Sequence, residues 1–136
     1  MEVNATIVLD TSAVIRMFKG ANREIVTAVA SATRIVIPLA AYAELQAGFE
    51  RQGGAASGER QLLDSLLATA GASVHHPDER TGILYAKIFN LLRRNGTMIP
   101  TNDIWIAAES MEVGGVLYSS DKHFENVAML DWRYCE

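Results

Sequence analysis

Short runs of β-branched and apolar residues alternate along the chain with longer segments whose apolar positions recur at helical spacing. Thr6-Ile7-Val8-Leu9 is apolar without alternation, the pattern of a strand buried on both faces, and it stops at Asp10. Ser12 is placed to cap a helical segment, Ala13 to Phe18, that Lys19-Gly20 ends. Asn22 to Ala32 reads as a second helix, with Ile25, Val26, Val29 and Ala30 on one stripe. Arg34 to Ile37 predicts a second strand, left through Pro38, and Ala40 to Glu50 a third helix. The run Gly53 to Gly58 reads as a flexible connector at the tip of a helical hairpin whose returning arm is Glu59 to Ala70. Ala72 to His75 predicts a third strand. Pro77-Asp78-Glu79 then starts a helix that reaches about Arg94 and stops at Asn95-Gly96. Thr101 caps a helix over Asn102 to Val113, Val116 to Ser119 forms a fourth strand, and Asp121 to Glu125 a short helix. Ala128 to Leu130 is the candidate fifth, marginal strand.

Strands alternating with helices predict a parallel sheet covered on both sides, and such sheets bind ligands at the carboxyl ends of their strands. Four acids fall near those ends. Asp10 follows the first strand directly, Asp121 follows the fourth within two residues, and Asp103 and Glu44 lie in the first halves of two helices.

Composition narrows the setting. The 136 residues fit one domain, 1–136, with 49% hydrophobic and 21% charged residues, an ordinary globular balance. Cys135 is the only cysteine, so neither a disulfide framework nor a cysteine-based zinc site can be built. Met1 to Asn4 carries no basic residue and Asp10 interrupts the first apolar run, which is not the pattern of a signal peptide. No apolar stretch approaches a membrane span, and cytoplasmic residence is the expectation. The formal charge is −4, so nucleic-acid binding must rest on a local site and not on a broad basic face.

Acids drawn together repel: two charges about 4 Å apart cost on the order of 4 kcal/mol at an effective dielectric of about 20. Without a cation the group keeps protons. A hard divalent cation such as Mg2+ or Mn2+ removes the conflict, and it can orient a phosphodiester and activate a water. The chain has no HExxH pattern and no nearby pair of histidines suited to zinc.

Val8-Leu9-Asp10-Thr11-Ser12, Ala43-Glu44-Leu45, Asn102-Asp103-Ile104-Trp105 and Ser119-Ser120-Asp121-Lys122-His123-Phe124, in that order, resemble the PIN domain, and within it the VapC-type toxins of toxin–antitoxin pairs. The resemblance spans almost the whole chain. It implies a three-layer α/β/α fold on a parallel sheet of four to five strands, order 3-2-1-4-5, and an endoribonuclease dependent on Mg2+ or Mn2+. It assigns catalysis and metal binding to Asp10, Glu44, Asp103 and Asp121, with Thr11 and Ser120 orienting the acids or water. The family usually carries Thr where Ser120 stands. The resemblance also implies an RNA substrate, a homodimer and a small antitoxin partner.

Each residue has a plainer reading. Acids near helix starts stabilise without doing chemistry, which applies to Asp103 and Asp121, and Glu44 reads equally as a solvated helix position. Asp10 at a buried strand's end has fewer structural excuses. Asn102 reads as a partner of the acids or as part of the helix start. Arg16, Lys122 and His123 are candidate phosphate contacts that read equally as plain surface. His75-His76 reads as a strand end, and Trp105 as core or dimer interface. An aspartyl phosphatase would want a second Asp where Ser12 stands, and a receiver domain would want paired acids after the first strand. The alternative from another class is a PIN-fold module that binds RNA or protein without cutting.

Overall fold

The computed structural model describes residues 5–20 and 22–136; Met1 to Asn4, on which the leader reading partly rests, lie outside the described residues. Five parallel strands, β1 (Thr6–Leu9), β2 (Arg34–Pro38), β3 (Ala72–His75), β4 (Val116–Ser119) and β5 (Trp132–Tyr134), form one sheet ordered β3-β2-β1-β4-β5. The helices are α1 (Thr11–Lys19), α2 (Arg23–Ser31), α3 (Leu39–Gln52), α4 (Ser57–Leu67), α5 (Glu79–Asn95) and α6 (Thr101–Val113). They cover the sheet in the α/β/α arrangement the resemblance implies. None of the described helices is long and apolar enough to cross a membrane.

β1 is the central strand because it can be buried on both faces: Ile7, Val8 and Leu9 are all within the core, with Val36, Ile37 and Leu117 beside them. Gly115 lets β4 approach, since a Cβ there would stand 2.8 Å from the Val8 side chain. The chain leaves β1 toward β2 on one side and returns as β4 on the other. The order of strands therefore reverses at β1, and a crevice opens beyond the carboxyl ends of β1 and β4. That crevice is where Asp10 and Asp121 emerge.

Several local expectations change. Asp10, not Ser12, caps α1: Asp10 has extended backbone, and its side chain accepts the Ala13 N–H at 3.0 Å, so the helix starts at Thr11. At α6 the cap position is Pro100 with no side-chain cap bond, and Thr101 is already helical. The expected flexible connector is a 3₁₀ turn, Gly53–Ala56, anchored by the fully buried Ala56, and α4 starts at Ser57. The segment after Asp121 is likewise a 3₁₀ turn, Lys122–Asn126. The fifth strand is Trp132–Tyr134 and not Ala128–Leu130. Val127 is buried and Leu130 turns back to bond it, so pairing begins only where Leu117 N–H reaches Asp131 O at 2.9 Å. Asp78 with Thr81 forms a capping box at the predicted start of α5.

Candidate active site

Four elements deliver the acids. β1 ends at Asp10, α3 presents Glu44 in its second turn, α6 presents Asp103 in its first turn, and Asp121 follows β4. Asp10, Glu44, Asp103 and Asp121 line one open cleft of about 490 Å³, together with Thr11, Ser12, Ile15, Arg16, Ser120 and Lys122.

Asp10 is the innermost, only 5% exposed. Oδ1 accepts the Ser12 hydroxyl at 2.7 Å and the Ala13 N–H at 3.0 Å, and Oδ2 accepts the Ser119 hydroxyl at 2.5 Å. A carboxylate offers about four acceptor positions, so roughly one remains for anything in the cleft. Burial pushes the Asp10 carboxyl above its usual range, the bonds from Ser119, Ser12 and Ala13 oppose that, and the charge of Asp121 adds to it. Thr11 donates to Glu44 Oε1 at 3.3 Å from the first turn of α1. Glu44 is also raised, by desolvation against the cleft wall first, with the charges of Asp10 and Asp121 contributing.

Asp103 and Asp121 share one imidazole partner. His123 Nδ1 lies 3.0 Å from Asp103 Oδ2 and 2.9 Å from Asp121 Oδ1. Burial pushes the Asp103 carboxyl up to about 6, with the Asp121 charge adding to the shift against the His123 hydrogen bond. His123 is raised in turn, chiefly by its bond to Asp103. One donor atom each from Asp103, Asp121 and His123 lies within 4.8 Å of the others.

This donor set fits a hard cation. Four carboxylates converge, three with raised pKa values, and the basic group between two of them is a histidine that a divalent ion can displace.

Arg16 and Lys122 line the cleft, although the Lys122 ammonium rests 5.3 Å over the Tyr134 ring. His123 turns its Nδ1 to the acids, and its side chain is half exposed at the rim. Asn102 is exposed and outside the cleft lining. Ser120 lines the cleft, but the hydroxyl that holds Asp10 belongs to Ser119, whose oxygen also accepts the Asp121 N–H at 2.9 Å. Strand alternation carried that signal: Ser119 shares the inward face of β4 with buried Leu117, whereas Ser120 lies past the strand. Ser12, read as a cap, instead clamps Asp10 and accepts the Ser120 N–H at 3.0 Å.

A second polar network lies at the end of β3. His75 Nδ1 is 2.8 Å from Glu109 Oε1 and its Nε2 is 3.1 Å from Glu112 Oε1, while the Leu39 N–H donates to Glu109 at 3.0 Å. It ties β3 and the start of α3 to α6, the two helices that carry Glu44 and Asp103. Cys135 is buried, and burial pushes its thiol up to about 11, leaving it without thiolate character.

Comparisons with known proteins bear on the family and the fold. Residues 7–130 match the family described as the PIN domain. Ribonuclease VapC1 of Haemophilus influenzae (strain R2866) is 30% identical over 129 residues, which cover 92% of this chain and 94% of the relative. The structure of VapBC-1 from nontypeable Haemophilus influenzae superposes with a TM-score of 0.81 at 26% identity, covering 95% of this chain and 97% of the other. VapBC2 from Rickettsia felis, bound to a DNA fragment from its promoter, shares the fold with a TM-score of 0.80 at 17% identity, covering 96% of this chain and 99% of the other. With the family matched across most of its length, the relative aligned nearly end to end and the strand order the same as that implied by the motifs, the chain belongs to the PIN domain family.

Proposed function

We propose that this chain is a metal-dependent endoribonuclease that hydrolyses RNA phosphodiester bonds, the toxin of a type II toxin–antitoxin pair. The observation that carries the reading is the convergence of Asp10, Glu44, Asp103 and Asp121, from four separate elements, on one cleft at the point where strand order reverses. The kinship with Ribonuclease VapC1 supports the reaction class, and the likeness to VapBC structures supports an antitoxin partner. In this reading residues 1–136 act as one domain, in the cytoplasm and as a homodimer.

Asp10, Asp103, Asp121 and Glu44 would hold Mg2+ or Mn2+, which supplies Lewis-acid stabilisation of the phosphodiester and a water of lowered pKa. The chain's own groups do the rest. Ser12 and Ser119 fix the rotamer of Asp10 so that its remaining acceptor position faces the cleft. Thr11 orients Glu44 at the rim. His123 holds Asp103 and Asp121 together through its Nδ1. Arg16 and Lys122 supply the positive charge that lets a phosphate approach an acidic cleft. Ser120 contributes its backbone N–H to the Ser12 clamp, and Asn102 has no role in this scheme.

A PIN-fold module that binds without cutting is the other reading, and the presence of all four acids speaks against it. The deciding experiment incubates total RNA with purified protein in Mg2+ or Mn2+, with EDTA, and with Asp10→Asn. Cutting that vanishes with EDTA and in the variant is expected. Equal cutting by both proteins would mark a contaminating nuclease and defeat the proposal.

A further inference from the structure

Gly48 sits in the interior of α3, where glycine is the poorest helix former apart from proline. Nothing in the fold asks for it. Its backbone is ordinary right-handed helix, and a Cβ built there would meet only the Arg51 guanidinium, at 3.8 Å. The missing side chain instead opens a recess of about 130 Å³ beside the acidic cleft. Thr11, Ile15 and Glu44 line both spaces, so the two adjoin.

The recess follows one face of α3. Glu44, Gly48 and Gln52 are spaced four apart, each about 6 Å further along the axis. Ile15, Leu45 and Phe49 give it apolar walls, the Arg51 guanidinium borders it beside Gly48, and Gln52 and Glu59 make a polar edge. A guanidinium plane and apolar side chains, with donors and acceptors at one edge, are how proteins receive an unstacked base of single-stranded RNA and read its hydrogen-bonding edge. The position beside Glu44 places such a base one helical turn from the acids, adjacent to a phosphate held over them.

Resting on the nuclease reading above, we propose that this recess is a nucleobase subsite for the RNA strand: Gly48 admits the base, Ile15 and Leu45 flank it, and Gln52 with Glu59 reads its edge. The subsite makes cutting depend on the identity of one nucleotide next to the scissile bond. The bases that fit are those whose edge pairs with a carboxamide and a carboxylate.

The test is Gly48→Leu, with Gly48→Ala as a milder filling, assayed on a randomised single-stranded RNA pool with Mn2+ and sequencing of the cleaved ends. Both variants replace glycine by better helix formers whose Cβ meets only the movable Arg51 guanidinium at ordinary contact distance, so their melting temperatures should equal or exceed that of the wild type. The wild type should favour particular bases at one position beside the cut by roughly tenfold or more, and Gly48→Leu should reduce that preference to under about twofold while still cutting in an EDTA-sensitive way. Gly48→Ala should fall between. An unchanged preference in Gly48→Leu, or no preference in the wild type, overturns the subsite and leaves the nuclease reading standing. Wild-type protein that makes no EDTA-sensitive cuts overturns the nuclease reading and the subsite with it. A Gly48→Leu protein that cuts as the wild type does but escapes inhibition by its antitoxin marks the recess as a protein-docking site and overturns the RNA assignment.

Discussion

Ser119→Ala separates a hydroxyl that organises the site from one that merely lies beside it. Ser119 is fully buried, and its oxygen donates to Asp10 Oδ2 at 2.5 Å and accepts the Asp121 N–H at 2.9 Å. A hydrogen bond to a charged group contributes about 1.5–3 kcal/mol, and an orphaned backbone donor costs about 1–3 kcal/mol. The two overlap, because Asp10 relaxes and takes up protons more readily once the bond is gone, so a loss of about 2–4 kcal/mol at neutral pH is expected. For a chain of this size that is a fall in melting temperature of roughly 6–15 °C. Because Asp10 is also the innermost acid, affinity for Mn2+ should drop by about 10- to 100-fold. Urea unfolding followed by circular dichroism reads the first effect, as a shifted midpoint at constant slope, and calorimetric titration of Mn2+ reads the second. Ser120→Ala is the matched control: its hydroxyl makes no hydrogen bond among the described residues, and its stability should stay within about 0.5 kcal/mol of the wild type. If Ser119→Ala unfolds with the wild type, or Ser120→Ala falls as far, the clamp on Asp10 is wrong.

Three further outcomes follow from the same contacts. Asp103 is raised from 3.8 to about 6 and His123 is raised as well, so both favour the fold at low pH; that contribution is complete below about pH 4 and is lost as pH rises through about 6 and beyond. A divalent ion needs the deprotonated acids, so the gain in melting temperature from Mn2+ should be large at pH 7.5 and nearly absent at pH 5, and a gain independent of pH in thermal-shift scans would contradict this. His75→Ala leaves Glu109, which is 1% exposed, with only its backbone donor, and should cost about 1–3 kcal/mol in chemical denaturation; a loss under about 0.5 kcal/mol would mean the network holds nothing together. Gly71 has φ +85° and a Cβ there would stand 2.5 Å from the Thr33 carbonyl, so Gly71→Ala should destabilise by about 2 kcal/mol or more at the entry to β3, and a melting temperature equal to the wild type would refute the contact.

The sheet was legible because its central strands are buried on both faces and so read as unbroken apolar runs, as at Ile7 to Leu9 and Ile35 to Ile37. The acids were legible for a related reason: a charge that directly ends such a run, like Asp10, must emerge at the sheet's edge. β5 was misread because apolar content alone points to Ala128–Leu130, whereas register is set by where the backbone reaches Leu117. The part Ser119 plays follows from strand parity, which turns it inward beside Leu117, and motif position alone does not report it. The contact of His123 with Asp103, 20 residues away, comes from tertiary placement and had no local signature. The pairing of His75 with Glu109 and Glu112 is likewise long-range and had no local signature. Hydrophobic periodicity reports which face is buried; it is silent on which polar groups meet across elements.

A crystal grown or soaked with Mn2+ and measured at a wavelength where manganese scatters anomalously tests the central claim most directly. The account predicts an anomalous peak in the cleft within about 2 Å of oxygens from Asp10 and from Asp103 or Asp121, with His123 moved away from the pair. A peak bound elsewhere, or no peak at millimolar Mn2+ near neutral pH, would contradict it.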